Sequence, residues 1–249
     1  MNEVGEIPQS PEQDKITLTL QIGRHGEKDE KGKLSPIDTK PSELGQRLGP
    51  LTKVFSAFMP RVVQTAEKIS EGAETSYVPR QRAELVNSGL FRMYYPEYVR
   101  QKDEDYDTWE ARVMDNPRAR EIIASGIATQ IEHFREMARR QKVAPGSNLN
   151  FPQVTHDLEI AAFLKEALIR EVNGQEVHGF ENINEIGGPI SENEYFDVRI
   201  ERSGDSENIS FSFENPQRLP GINCRLDLGK VEELAKFYKE EMAKQSPSA

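Results

Sequence analysis

Apolar and polar residues alternate from Ile16 through Leu18 and Leu20 to Ile22, a period of two that predicts a strand with one buried face. The run ends at Gly23-Arg24-His25-Gly26-Glu27, which sets an arginine and a histidine at the strand's carboxyl end. The bracketing glycines permit a sharp turn and a close backbone approach to a ligand. The same punctuation recurs twice. Residues 54–58 form a compact apolar run of strand length, and Pro60 then opens a helix with Arg61 in its first turn and Val62, Thr65, Ala66 and Ile69 on its packed face. Residues 150–155 read as a strand ending at His156-Asp157, followed by a helix over about 158–172 through Ile160, Ala161, Leu164, Leu168 and Val172.

Between these junctions the pattern is less regular. A short helix is predicted from Pro41, weakened by Gly45 and Pro50, and a short strand over 74–79. Residues 88–117 are rich in aromatics and charge, including Tyr94, Tyr106, Trp109, Arg92 and Arg100, and read as a helical insertion lying over the site. The long helix over about 118–142 shows Ile122, Ile123, Ile127, Ile131 and Phe134 on one face. A strand over 194–201 and another over 209–213 form a hairpin across Ser203-Gly204-Asp205, and an amphipathic helix over about 230–242 closes the chain.

Strands that alternate with helices imply a three-layer α/β/α fold with a mostly parallel central sheet and a C-terminal hairpin. Residues 1–14 read as a mobile tail, 15–244 as one domain carrying the 88–117 insertion, and 245–249 as a C-terminal tail. Ligands collect at the carboxyl ends of the strands in such sheets. Arg24, His25, Arg61 and His156 all fall there.

Composition narrows the chemistry. The 249 residues carry 32 basic and 42 acidic side chains, a net charge of −10, which argues against non-specific binding to nucleic acid or an anionic membrane. An anionic substrate therefore needs a local concentration of arginine. With the single Cys224 there is no intrachain disulfide and no multi-cysteine metal site, and the polar amino terminus is no secretory signal, so a cytoplasmic location is expected. Guanidinium groups suit phosphate oxygens, and histidine is the side chain able to act as a neutral nucleophile near pH 7. Phosphoryl transfer through a phosphohistidine accounts for both arginines and both histidines, with no metal or cofactor called for.

The ordered set Arg24-His25-Gly26-Glu27, then Ser56 with Arg61 and Gln64-Thr65-Ala66, then Thr155-His156-Asp157 opening a helix, resembles the histidine phosphatase superfamily, the phosphoglycerate-mutase-like clan. Ser42-Glu43-Leu44-Gly45-Gln46-Arg47 adds a similar family segment, and the resemblance covers roughly residues 16–170. It implies that His25 attacks phosphorus while Arg24, Arg61 and His156 hold the phosphoryl oxygens. Two residues compete for the role of proton donor. Glu84 resembles the acid of the mutase and small-phosphatase branch, and Asp157 that of the acid-phosphatase and phytase branch. Glu84 is favoured, because the opening motif lacks the R-H-G-x-R-x-P of the second branch. Mutases of the family read R-H-G-E-S-x-x-N, whereas Lys28 and Lys31 stand at the Ser and Asn positions here. The expected activity is thus metal-independent hydrolysis of a small phosphomonoester. A mutase-type phosphotransferase and a non-catalytic binding module are the alternatives.

Overall fold

The computed structural model describes residues 14–75, 78–85, 95–140 and 142–245. The predicted amino-terminal tail to residue 13, the aromatic stretch 86–94 and the last four residues lie outside the described residues. A six-stranded sheet forms the centre, in the order β3 (Arg80–Gln81), β2 (Phe55–Ser56), β4 (Asn148–Thr155), β1 (Ile16–Arg24), β7 (Tyr195–Ser203), β8 (Ser206–Phe213). From β3 to β1 every pairing is parallel, and β7 and β8 add the antiparallel C-terminal hairpin. Six α-helices pack around it among the described residues: α1 (Lys40–Leu48), α2 (Pro60–Gly72), α3 (Tyr106–Asp115), α4 (Pro117–Arg139), α5 (Asp157–Ala167) and α6 (Leu228–Gln245). No described helix is long and apolar enough to cross a membrane.

β1 differs from its expected half-buried character. Leu18, Leu20 and Ile22 are fully enclosed, yet Thr17 and Gln21 on the opposite face are also buried. As the strand between β4 and β7, it is interior to the sheet, and with both its faces carrying buried residues the alternation separates apolar from polar rather than inside from outside.

Two further expectations fail for local reasons. The helix after His156 stops at Ala167, and Leu168–Val172 is instead strand β5, paired with β6 (Gln175–His178) and β9 (Cys224–Leu226) in a second, three-stranded sheet. Asn173 and Gly174, both at positive φ, make the tight hairpin turn from β5 to β6, and β-branched Ile169 and Val172 suit the strand. Of the strand predicted over 74–79, residues 76–77 lie outside the described residues; Glu74, at φ 54°, lies in a turn, and the strand that follows is β3 at Arg80–Gln81.

Gly45 also takes a different role from the one its helix-weakening character suggests. α1 and α2 approach each other through a reciprocal glycine contact: a Cβ on Gly45 would lie 2.1 Å from the Ile69 carbonyl oxygen, and one on Gly72 would lie 2.0 Å from that of Ser42. Backbone cannot yield as a side chain can. Gly45→Ala is therefore expected to lower stability by about 1–3 kcal/mol despite its better helix propensity. Urea unfolding reads this as a lower midpoint at unchanged slope; an equal or higher midpoint would mean that the two helices part freely.

Candidate active site

Parallel pairing brings three strand ends together. Arg24 on β1 is in register with Thr155 on β4, and Ser56 on β2 with Val154, so the residues just beyond these ends share one edge of the sheet. His25 and His156 each follow directly, and their rings meet edge to face at 5.5 Å. The His25 amide donates to the Thr155 carbonyl at 3.1 Å, and the His25 carbonyl accepts from the Asn193 amide at 3.2 Å. The chain leaving β2 enters α2 at Pro60, which places Arg61 in that helix's first turn beside His25.

Two hydrogen bonds determine the protonation pattern of His25. Its Nδ1 lies 2.7 Å from the Gly26 carbonyl oxygen, which can only accept, so Nδ1 carries the proton. Arg61 donates its Nε–H to His25 Nε2 at 2.9 Å, so that nitrogen carries the lone pair. Both contacts specify the same neutral tautomer. Burial holds the His25 pKa down to about 4, helped by the charges of Arg61 and Arg24, against a rise from the Gly26 hydrogen bond and Asp157. His156 is held down to about 3, again mainly by burial and then by His25 and Arg61. Thr65, which accepts from the Gly26 amide at 3.0 Å and donates to the Arg61 carbonyl at 2.7 Å, ties the loop after His25 to the first turn of α2.

Arg24 is oriented from two sides. It donates to the Ile190 carbonyl at 2.7 Å and pairs with Asp157 at 3.3 Å. The segment presenting Ile190 is itself clamped by buried Arg218, which donates to the carbonyls of Ile186 (2.6 Å), Gly188 (2.7 Å) and Pro189 (2.9 Å) and pairs with both carboxyl oxygens of Glu194. Asp157, first residue of α5, also accepts from the Tyr106 hydroxyl at 3.0 Å. Glu110, one helical turn further along α3, is pushed up to about 7 by burial, then by Asp157 and Asp107, with Arg24 opposing. Arg24 Nε and His156 Nδ1 are buried without a hydrogen-bond partner among the described residues.

A cavity of about 540 Å³ opens onto this group, with Arg61, His156 and Asp157 on one wall and Tyr106, Trp109 and Arg100 on another. That volume suits a small molecule. His25 does not itself line the cavity and adjoins it through its hydrogen bond with Arg61.

Of the residues singled out in the sequence, Arg24, His25, Arg61, His156 and Asp157 meet here. Glu84 sits on a short 3-10 turn, Ala83–Leu85, where its charge acts on His133 and Tyr238. That turn touches the site through Thr155, whose hydroxyl donates to the Leu85 carbonyl. The space beside Gly23 is taken by the Tyr195 ring and that beside Gly26 by Asp38 and Leu34, so these glycines admit protein packing rather than a ligand. Glu27 is exposed and pairs with Lys40. Tyr106 counted in the sequence only as one aromatic of an irregular stretch. Glu110 and Arg218 carried no signal, because their roles depend on where α3 and the 186–194 segment fold back.

No family model and no curated protein matches the chain. Solved structures do. One described as mycobacterial hydrolase 1 is 13% identical, with 80% of this chain and 97% of that chain covered at a TM-score of 0.47. A mycobacterial glucosyl-3-phosphoglycerate phosphatase is 13% identical over 80% of this chain and 98% of its own, at 0.45. The protein histidine phosphatase SixA, complexed with tungstate, is 13% identical over 78% and 94%, at 0.42. Likeness at this level assigns no activity to the chain.

Proposed function

Because the chain resembles the histidine phosphatase superfamily in its motif order, we propose that it hydrolyses phosphomonoesters through a phosphohistidine formed on His25. The observation that carries the reading is the single tautomer of His25, with Nδ1–H bonded to Gly26 and the Nε2 lone pair directed at Arg61. The solved structures named as phosphatases agree with it in kind.

In the first step the Arg61 guanidinium turns from Nε2 onto a phosphoryl oxygen, and Nε2 attacks phosphorus in line. The P–N bond forms as the P–O bond to the leaving group breaks, and a proton passes to the leaving oxygen. Arg24, Arg61 and His156 offset the charge on the equatorial oxygens. In the second step water attacks the phosphohistidine and gives up a proton, releasing phosphate and restoring neutral His25. Hydrolysis rather than transfer is the reading because Lys28 and Lys31 replace the residues of the mutase motif. Release of phosphate from p-nitrophenyl phosphate in the presence of a chelator tests the activity. No turnover over a broad pH range would leave a binding module.

For the proton donor we favour Asp157 over Glu84, reversing the preference drawn from the motif. Asp157 contacts Arg24, lines the cavity and sits beside His156, whereas the charge of Glu84 acts on His133 and Tyr238. The negative charge of a bound phosphate favours the protonated form of a neighbouring carboxyl, as donation requires. Asp157→Asn is expected to lower kcat/KM about 100-fold on an alkyl phosphate and far less on p-nitrophenyl phosphate, whose leaving group needs no proton. Glu84→Gln should leave the ratio of the two substrates unchanged. The opposite pattern would assign the proton to Glu84.

A further inference from the structure

A second cavity, of about 490 Å³, lies away from the catalytic group, beside β2 and β3 and the end of α4. Its floor is apolar, built from Phe55, Phe134 and Phe151, which pack on one another with centroids 4.5 to 6.4 Å apart. Its rim carries Lys53, Arg80, Arg82 and Lys142, with His133 beside them, and no carboxylate among the described residues lines it. In a chain of net charge −10, this concentration of positive charge is a local inversion.

Most arginines in this fold are paired, as Arg112 is with Glu104, Arg120 with Glu166 and Arg170 with Glu185. Lys53, Arg80, Arg82 and Lys142 form no ion pair among the described residues. Arg82 Nε is buried without a hydrogen-bond partner, and its guanidinium lies 5.2 Å from the Phe55 ring centroid, so it is held in place over the floor. The two carboxylates whose charge reaches His133 do not balance the group: Glu136 is engaged by Arg140 and Lys239, and Glu84 lies outside the lining. Burial is the main reason that the His133 pKa is lowered; Arg82 and Lys142 lower it further while Glu136 and Glu84 raise it. Arg82, over Phe55, lines this cavity and not the one beside His156.

We propose that this cavity is a second anion-binding site, separate from the catalytic one, for a small ligand bearing two or more phosphate or carboxylate groups. Four fixed or flexible cations around one opening match a compact polyanion, because each charge-assisted contact adds to the others. A volume of about 490 Å³ suits a small molecule, and the net acidity of the chain disfavours a nucleic acid.

The test titrates inorganic tripolyphosphate, and in a parallel arm citrate, into protein carrying His25→Ala and Arg61→Ala, so that the catalytic site contributes little. Calorimetry is expected to show saturable binding of one equivalent that weakens as salt is raised. Adding Arg80→Glu and Lys142→Glu should weaken it roughly tenfold or more. Lys53→Glu alone should produce a smaller loss in the same direction, which keeps the test decisive if the double reversal unfolds. Binding of tripolyphosphate without citrate narrows the ligand to phosphates, and the reverse to carboxylates. Absence of binding by both probes, or binding indifferent to all three reversals, overturns the proposal. Neither result bears on turnover, which is read separately on the wild-type protein.

Discussion

His25→Ala is expected to reduce kcat by roughly 10⁴-fold or more, because no other group at the site can form the covalent intermediate. His156 is the nearest imidazole, 5.5 Å away between ring centroids, but its Nδ1 is shielded within the protein. Rapid quenching of the wild type with a ³²P-labelled substrate should leave phosphate on protein that survives base and is lost in acid, as a phosphoramidate is. The variant should carry none. Equal labelling of the two proteins would remove His25 from the nucleophile's position, and residual turnover within tenfold of wild type would do the same. The fold should tolerate the change, since the backbone contacts of residue 25 to Thr155 and Asn193 do not involve the ring.

Arg61→Ala is expected to cost about 10³-fold in kcat/KM, in the range seen when a guanidinium that stabilises a transferring phosphoryl group is removed. It also has a signature in pH. Arg61 is one of the charges that lower the His25 pKa, so its loss lets that pKa rise from about 4. Because attack requires neutral imidazole, the acid limb of kcat/KM should move to higher pH in the variant. Arg61→Lys should keep the limb nearer its original place, by retaining the charge, while recovering only part of the rate, since an ammonium lacks the planar fork. An unchanged acid limb in Arg61→Ala would indicate that burial and Arg24, without Arg61, set the His25 pKa.

The candidate edge was legible in sequence because each of its parts is local: a strand, an abrupt end, and a polar pair within two residues. Parallel register then brings such ends together without further information, as the Arg24–Thr155 and Ser56–Val154 pairings do. What escaped was non-local or competed with a stronger pattern. Leu168 and Val172 continue a helical spacing, and only the Asn173-Gly174 turn and the pairing with β6 and β9 reveal a strand. Tyr106 reaches Asp157 across a separation of 51 residues, and Arg218 reaches the 186–194 segment from beyond the hairpin, so neither has a neighbour in sequence that announces it. The choice between Glu84 and Asp157 was of this kind too. Motif similarity ranks them one way, and their surroundings, Arg24 and Tyr106 about Asp157 against His133 and Tyr238 about Glu84, rank them the other.

The contact between Arg61 and His25 has a protective side. A neutral imidazole nitrogen in a polar cleft is among the commonest ligands for transition metals, and it is equally open to electrophiles. A guanidinium resting 2.9 Å from Nε2 repels an approaching cation and occupies the lone-pair direction. On the proposed mechanism the same side chain would shield His25 from copper or zinc ions and release it when a phosphate dianion arrives, acting as both shield and lure.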